Sequence, residues 1–146
     1  MDVAERFAQL SSATRAKVGA IIVKDNRIIS IGYNGMPSGW TNECEEWIPL
    51  EGVNFEFAES DKEVYAEAKT KPEVLHAETN AIAKVARSSE SCEGATLFCT
   101  HLPCMECAKL IYQSGISEVY YRVEYLAAKG AGKEFLQQSG VKVEQV

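Results

Sequence analysis

"ATLFCTHLPCMECAKLIYQSGISEVYYRV", residues 95 to 123, is the stretch whose reading decides the fold. Its opening, "ATLFCT", is a short apolar run and reads as a buried strand. "PCMECAKLIYQSG" then reads as a helix. Pro103 stands at its start, where the missing N–H is not needed, and Gly115 stands just past its end. "EVYYRV" is a further strand, whose alternation sends Tyr120 and Tyr121 to opposite faces.

Working back toward the N-terminus, "EVLHAETNAIAKVARS" (73–88) reads as another helix, with Pro72 marking its start. "KVGAIIVKDNRIISIGYNG" (17–35) reads as two strands rich in valine and isoleucine, turned at Asp25-Asn26. "MDVAERFAQLSS" (1–12) is a helix in which Asp2 and Glu5 have capping-box-like spacing and Phe7 and Leu10 give the apolar face. Toward the C-terminus, "AAKGAGKEFLQQSG" reads as a broken helix and "VKVEQV" as a last short strand. Two strands followed by strand–helix alternation give the expected class: an α/β fold, a three-layer α-β-α sandwich around a mixed five-stranded sheet, in one domain over 1–146.

Residues 36 to about 72 interrupt this order. They hold Pro37, Gly39, Pro49, Gly52 and Pro72 without a clean period, so the expectation is an irregular excursion with a short helix near 59–69. Trp40, Trp47, Phe55 and Phe57 read as its packing. The excursion is also where the charge sits: residues 41 to 75 carry ten acids against three lysines, leaving +1 for the rest of a chain whose net charge is −6. An acidic chain without a basic run is a poor polynucleotide binder, because phosphate neutralisation supplies most non-specific affinity. One or two local cations still suffice for a free nucleotide, which is the expected partner, with no nucleic acid and no membrane. No signal-like segment or membrane-length apolar run is present, so the expected location is the cytoplasm. Five cysteines, an odd number, then read as metal ligands or buried thiols.

Cys104 and Cys107, three apart at a helix start, project together, and the helix dipole favours their thiolates. His76, at the start of another helix, supplies an imidazole. One His and two Cys leave a fourth tetrahedral position free, which is the pattern of a catalytic rather than a structural zinc. Glu78 is then the proton carrier: it takes a proton from the activated water and delivers protons to the substrate. Without these spacings, each residue alone would read as a buried thiol or a capping carboxylate. His101 reads as a structural or substrate-packing histidine, and Cys44, Cys92 and Cys99 as ordinary thiols.

His76-Ala77-Glu78 with Pro103-Cys104-Met105-Glu106-Cys107 matches the H-x-E and P-C-x-x-C pattern of zinc nucleobase deaminases. With "GYNGMPSG" as the most discriminating stretch, the chain more narrowly resembles the deoxycytidylate (dCMP) deaminase family. That resemblance implies hydrolysis of dCMP to dUMP and ammonia, feeding thymidylate synthesis, with one Zn2+ per chain. It also implies a homo-oligomer, a hexamer being favoured, activated by dCTP and inhibited by dTTP. Asn34 is implied for the deoxyribose, the Ala77 N–H for the base carbonyl, and Gly32, Tyr33, Asn34, Gly35 and Met36 for an effector site. Arg15 and Lys17, just before the first strand, are the cations expected at the 5′-phosphate. The second, structural zinc of some family members lacks its ligands here, since Trp40 and Asn80 stand at those positions.

Four competing readings differ in testable ways. A deaminase of free cytidine or deoxycytidine has no use for phosphate-binding cations, and one acting on dCTP as well as dCMP keeps them. A tRNA adenosine deaminase fits poorly with the charge. An inactive zinc-containing nucleotide-binding homologue has no use for Glu78.

Overall fold

The computed structural model describes residues 1–146 except 55, 57–59 and 126–131. Phe55, Phe57 and the first part of the expected broken helix therefore lie outside the described residues. The first half of the chain runs α1 (Asp2–Ala8), β1 (Gly19–Lys24), β2 (Arg27–Tyr33), β3 (Glu45–Pro49), α2 (Lys62–Tyr65) and β4 (Ala66–Thr70). The second half runs α3 (Ala77–Ala86), β5 (Thr96–His101), α4 (Met105–Gln113), β6 (Glu118–Val123), α5 (Lys133–Gln138) and β7 (Lys142–Gln145).

Asp25 and Asn26 both take positive φ (50° and 59°), the backbone a tight hairpin needs, and so fold β1 onto β2. The other edge of β1 pairs antiparallel with β5, which continues in parallel to β6 and β7. The resulting order, β2-β1-β5-β6-β7, is the mixed five-stranded sheet expected from the sequence. Its register stacks Ile22, Leu97, Val119 and Val143 into one row and Ala20, Cys99 and Tyr121 into the next. Both rows are buried under apolar residues of α3, α4 and α5, among them Ala81, Val85, Ile111 and Leu136. The helix layers are unequal: α1 covers the opposite face, against Gly19, while α3, α4 and α5 share this one.

Two glycines set the helix–sheet distance. A Cβ on Gly19 would run into the backbone of Ala4 and Ala8, and one on Gly32 into the backbone of Ala77 and Ala81. Ser30 Oγ adds a 2.8 Å hydrogen bond to Ala81 O, fixing α3 over β2.

Three local expectations change. Met1, not Asp2, is the N-cap of α1, no side-chain cap bond forms, and the capping box is not made. Helix α3 begins at Ala77 rather than at Pro72, because Leu75 is drawn into a backbone bridge with Gly35 and His76 stays extended (φ −73°, ψ 154°). The excursion is only partly irregular: β3 and β4 form an antiparallel ribbon from Glu45↔Thr70 to Pro49↔Ala66, with the four-residue α2, inside the expected helix span, leading into β4. Its alternation was hidden because the inward positions of β3 are Glu45, Trp47 and Pro49, only one of them strongly apolar.

Candidate active site

β2 and β5 end, and β1 begins, at the same edge of the sheet, and two helices start there. His76 is the N-cap of α3 and Cys104 the N-cap of α4, each on extended backbone that turns it out of its helix. Cys107 follows in the first turn of α4. Gly132 locks that turn in place: its N–H bonds Pro103 O at 2.9 Å, and a Cβ there would meet Ala108 and Cys104 O.

His76 Nδ1 lies 3.2 Å from Cys107 Sγ and 3.6 Å from Cys104 Sγ. Tetrahedral zinc, with Zn–S about 2.3 Å and Zn–N about 2.0–2.1 Å, spaces nitrogen and sulfur by about 3.6 Å, so the three donors fit it with small adjustments. Among the described residues this is the group able to hold a metal, its ligand atoms all within 4.8 Å of one another. A hydrogen bond from Cys107 brings the Cys104 pKa down to about 3, His76 reinforcing this and burial opposing it. The same bond and burial push Cys107 up. The two thiols thus titrate as a pair that gives up one proton readily, and a divalent cation compensates the second charge.

Glu78 is buried beside this group. Burial, the largest influence, raises its pKa; its own backbone N–H, the charge of His76 and a hydrogen bond from Cys99 pull it back, while Cys104 adds to the rise. Such a carboxyl is suited to picking up a proton and releasing it again. Cys99, expected to be an ordinary thiol, is fully buried with its own pKa well above normal, chiefly through burial, and so stays protonated.

His76, Ala77, Glu78 and Cys104 line one side of a cavity of about 220 Å³. Arg15 and Asn34 also line it, whereas Lys17 is exposed and outside the lining. Asn34, just past β2, ties down the loop before β1, accepting from Val18 N–H and donating to Ala16 O, both at 2.8 Å. That leaves one amide hydrogen and one lone pair for a ligand. The neighbouring residues have tasks inside the chain: Gly32 seats α3, Tyr33 O accepts from Asn80 Nδ2 at 3.0 Å, and Gly35 bridges Leu75. With Met36, these three lie outside the cavity lining.

Several lining residues escaped the sequence reading. Glu45, Thr70 and Val74 come from the excursion, and Tyr125 follows β6 and stands edge-on to His101 at 6.1 Å. Neither Tyr120 nor Tyr121 reaches the cavity: Tyr121 is buried in the core and Tyr120 stacks on Phe98. His101 itself lines the cavity, with its Nδ1 3.0 Å from Thr100 Oγ1 and its pKa lowered by burial.

Three protein donors, a side open to the cavity and a carboxyl that senses their charge are the parts of a hydrolytic zinc enzyme. The family model for the cytidine and deoxycytidylate deaminase zinc-binding region matches residues 1–123. Deoxycytidylate deaminase of Enterobacteria phage T2 is 35% identical over 98% of this chain and 88% of its own length. The human deoxycytidylate deaminase is 38% identical over 83% of this chain and 61% of its own. The crystal structure of dCMP deaminase from the cyanophage S-TIM5, in complex with dCMP and dUMP, superposes with a TM-score of 0.81 at 46% identity, covering 99% of this chain and 92% of that one. The chain belongs to the cytidine and deoxycytidylate deaminase family, and His76, Cys104 and Cys107 are its zinc site.

Proposed function

We propose that this chain hydrolyses dCMP to dUMP and ammonia. The observation that carries the reading is the buried Glu78 beside the His76–Cys104–Cys107 group on a cavity that also holds Arg15. The relative that was crystallised with dCMP and dUMP supports the choice of substrate.

Zinc, when bound, supplies a water acidified to near neutral pH as the nucleophile at C4 of cytosine. Glu78 accepts the proton of that water and passes it to N3. After a second transfer through Glu78, the amino group leaves as ammonia and the C4 carbonyl forms. The Ala77 N–H, at the positive end of α3, holds the base carbonyl. Asn34 turns its remaining hydrogen-bonding capacity to the deoxyribose, and Arg15, together with Lys17, meets the 5′-phosphate. Activation by dCTP, inhibition by dTTP and assembly into a homo-oligomer, a hexamer first, complete the reading. An effector at Gly32–Met36 would act on α3, which Gly32 seats and whose lead-in residue Leu75 is bridged by Gly35.

The test is ammonia release from dCMP, dCTP and deoxycytidine by zinc-loaded protein, with and without added dCTP. Turnover on dCMP that exceeds the other two is expected, and dCTP should increase it. Preference for deoxycytidine or dCTP would move the substrate assignment, and turnover indifferent to dCTP would remove the regulation.

A further inference from the structure

Arg15 sits on the exposed loop between α1 and β1, and a long side chain on such a loop loses much freedom when it grips an anion. A useful phosphate cation there has to be held beforehand. The acidic ribbon supplies the holding groups. Glu45 Oε1 accepts the backbone N–H of Thr14 at 2.9 Å and of Arg15 at 3.3 Å. Across the ribbon, its paired residue Thr70 accepts from Arg15 Nη1 at 3.3 Å. The loop is docked further by Ser12 Oγ, 3.7 Å from the buried Cys44 Sγ.

Glu45 is the informative member. It is only 9% exposed, and a carboxylate gives up its water only where hydrogen bonds replace it. Unmasked, its charge would also repel a phosphate in the same cavity. Spending Oε1 on two backbone N–H groups offsets that repulsion and fixes the backbone from which the guanidinium springs. Thr70 then takes one N–H of Arg15, leaving four for an anion.

We infer that Glu45 and Thr70 are positioning residues that hold Arg15 for the 5′-phosphate, which makes the β3–β4 ribbon a specificity element for phosphorylated substrates. The inference rests on the assignment of Arg15 to that phosphate.

The test compares Ki for dUMP with Ki for deoxyuridine, and KM and kcat for dCMP, in Glu45→Ala, Thr70→Val and Arg15→Ala, with zinc content and thermal midpoint measured on each. Glu45→Ala and Thr70→Val should weaken dUMP and raise KM by about tenfold, moving deoxyuridine and kcat by less than about twofold. Glu45→Gln and Thr70→Ser, which keep an acceptor oxygen, should restore most of the loss. Adding Glu45→Ala to Arg15→Ala should cost nothing more, because the positioned group is already gone. Equal loss for nucleotide and nucleoside in Glu45→Ala and Thr70→Val, beside a selective Arg15→Ala, would overturn the inference and leave the phosphate assignment standing. An unselective Arg15→Ala would remove both. Should Glu45→Ala not fold, Thr70→Val and its serine counterpart decide the matter alone.

Discussion

At Glu78, burial that penalises a negative charge outweighs the hydrogen bonds and the nearby imidazole that favour it, so the carboxyl holds its proton more readily than an exposed one. His101 shows the simpler case, in which burial alone lowers the pKa below the ordinary value of 6.5. Between those two values the unfolded chain binds a proton that the folded one does not. The stability His101 contributes is therefore complete above about pH 6.5 and is lost as pH falls through its folded value. His101→Asn should make unfolding free energy less steep below pH 6.5, by at most about 1.4 kcal/mol per pH unit, as read from denaturant titrations of zinc-loaded protein. An unchanged slope would mean that folding leaves the His101 pKa at its unfolded value. The metal ligands and Glu78 were legible in the sequence because their chemistry is carried by local spacing at two helix starts. Glu45 was not, since its task depends on a loop 30 residues upstream folding against it. Tyr125 lacked a signal as well, being one aromatic residue beyond the end of a strand.

Helix α3 carries both His76 and Glu78, and its seat on β2 is Gly32. Gly32→Ala would drive a methyl into the amide nitrogen of Ala81, 2.7 Å away, and into the carbonyl of Ala77, so the helix start must shift. We expect a loss of about 1–3 kcal/mol, with turnover falling alongside stability. Gly35→Ala, where a Cβ meets nothing within 4 Å, is the control and should unfold at the wild-type temperature. A Gly32→Ala protein as stable and active as its parent would show that α3 does not depend on this contact. The elements with strong periodicity or flanking turn residues, β1, β2, β5, β6 and α4, could be read directly from the chain. The β3–β4 ribbon could not, because the inward positions of β3 are a buried glutamate and a half-buried tryptophan and proline in place of the valines and isoleucines that announce a strand.

Across the whole molecule, the sheet order brings the start of β1, the ends of β2 and β5 and two helix N-termini to one edge. Arg15, His76, Glu78, Cys104 and Tyr125 thereby line one cavity from segments far apart in sequence. The mixed five-stranded sheet was accessible to sequence because strand–helix alternation admits few arrangements, whereas its strand order came from the structure. The convergence of the ribbon on that edge was not, for nothing in its composition says which end of the sheet it closes. The central claim is that zinc and Glu78 together deaminate dCMP. It is tested most directly by following dUMP formation from dCMP in zinc-loaded wild-type and Glu78→Gln proteins, with metal content measured on both. The account predicts one zinc per chain in each and a loss of turnover of about a hundredfold or more in Glu78→Gln. A Glu78→Gln protein that keeps its zinc and turns over dCMP at the wild-type rate would contradict it.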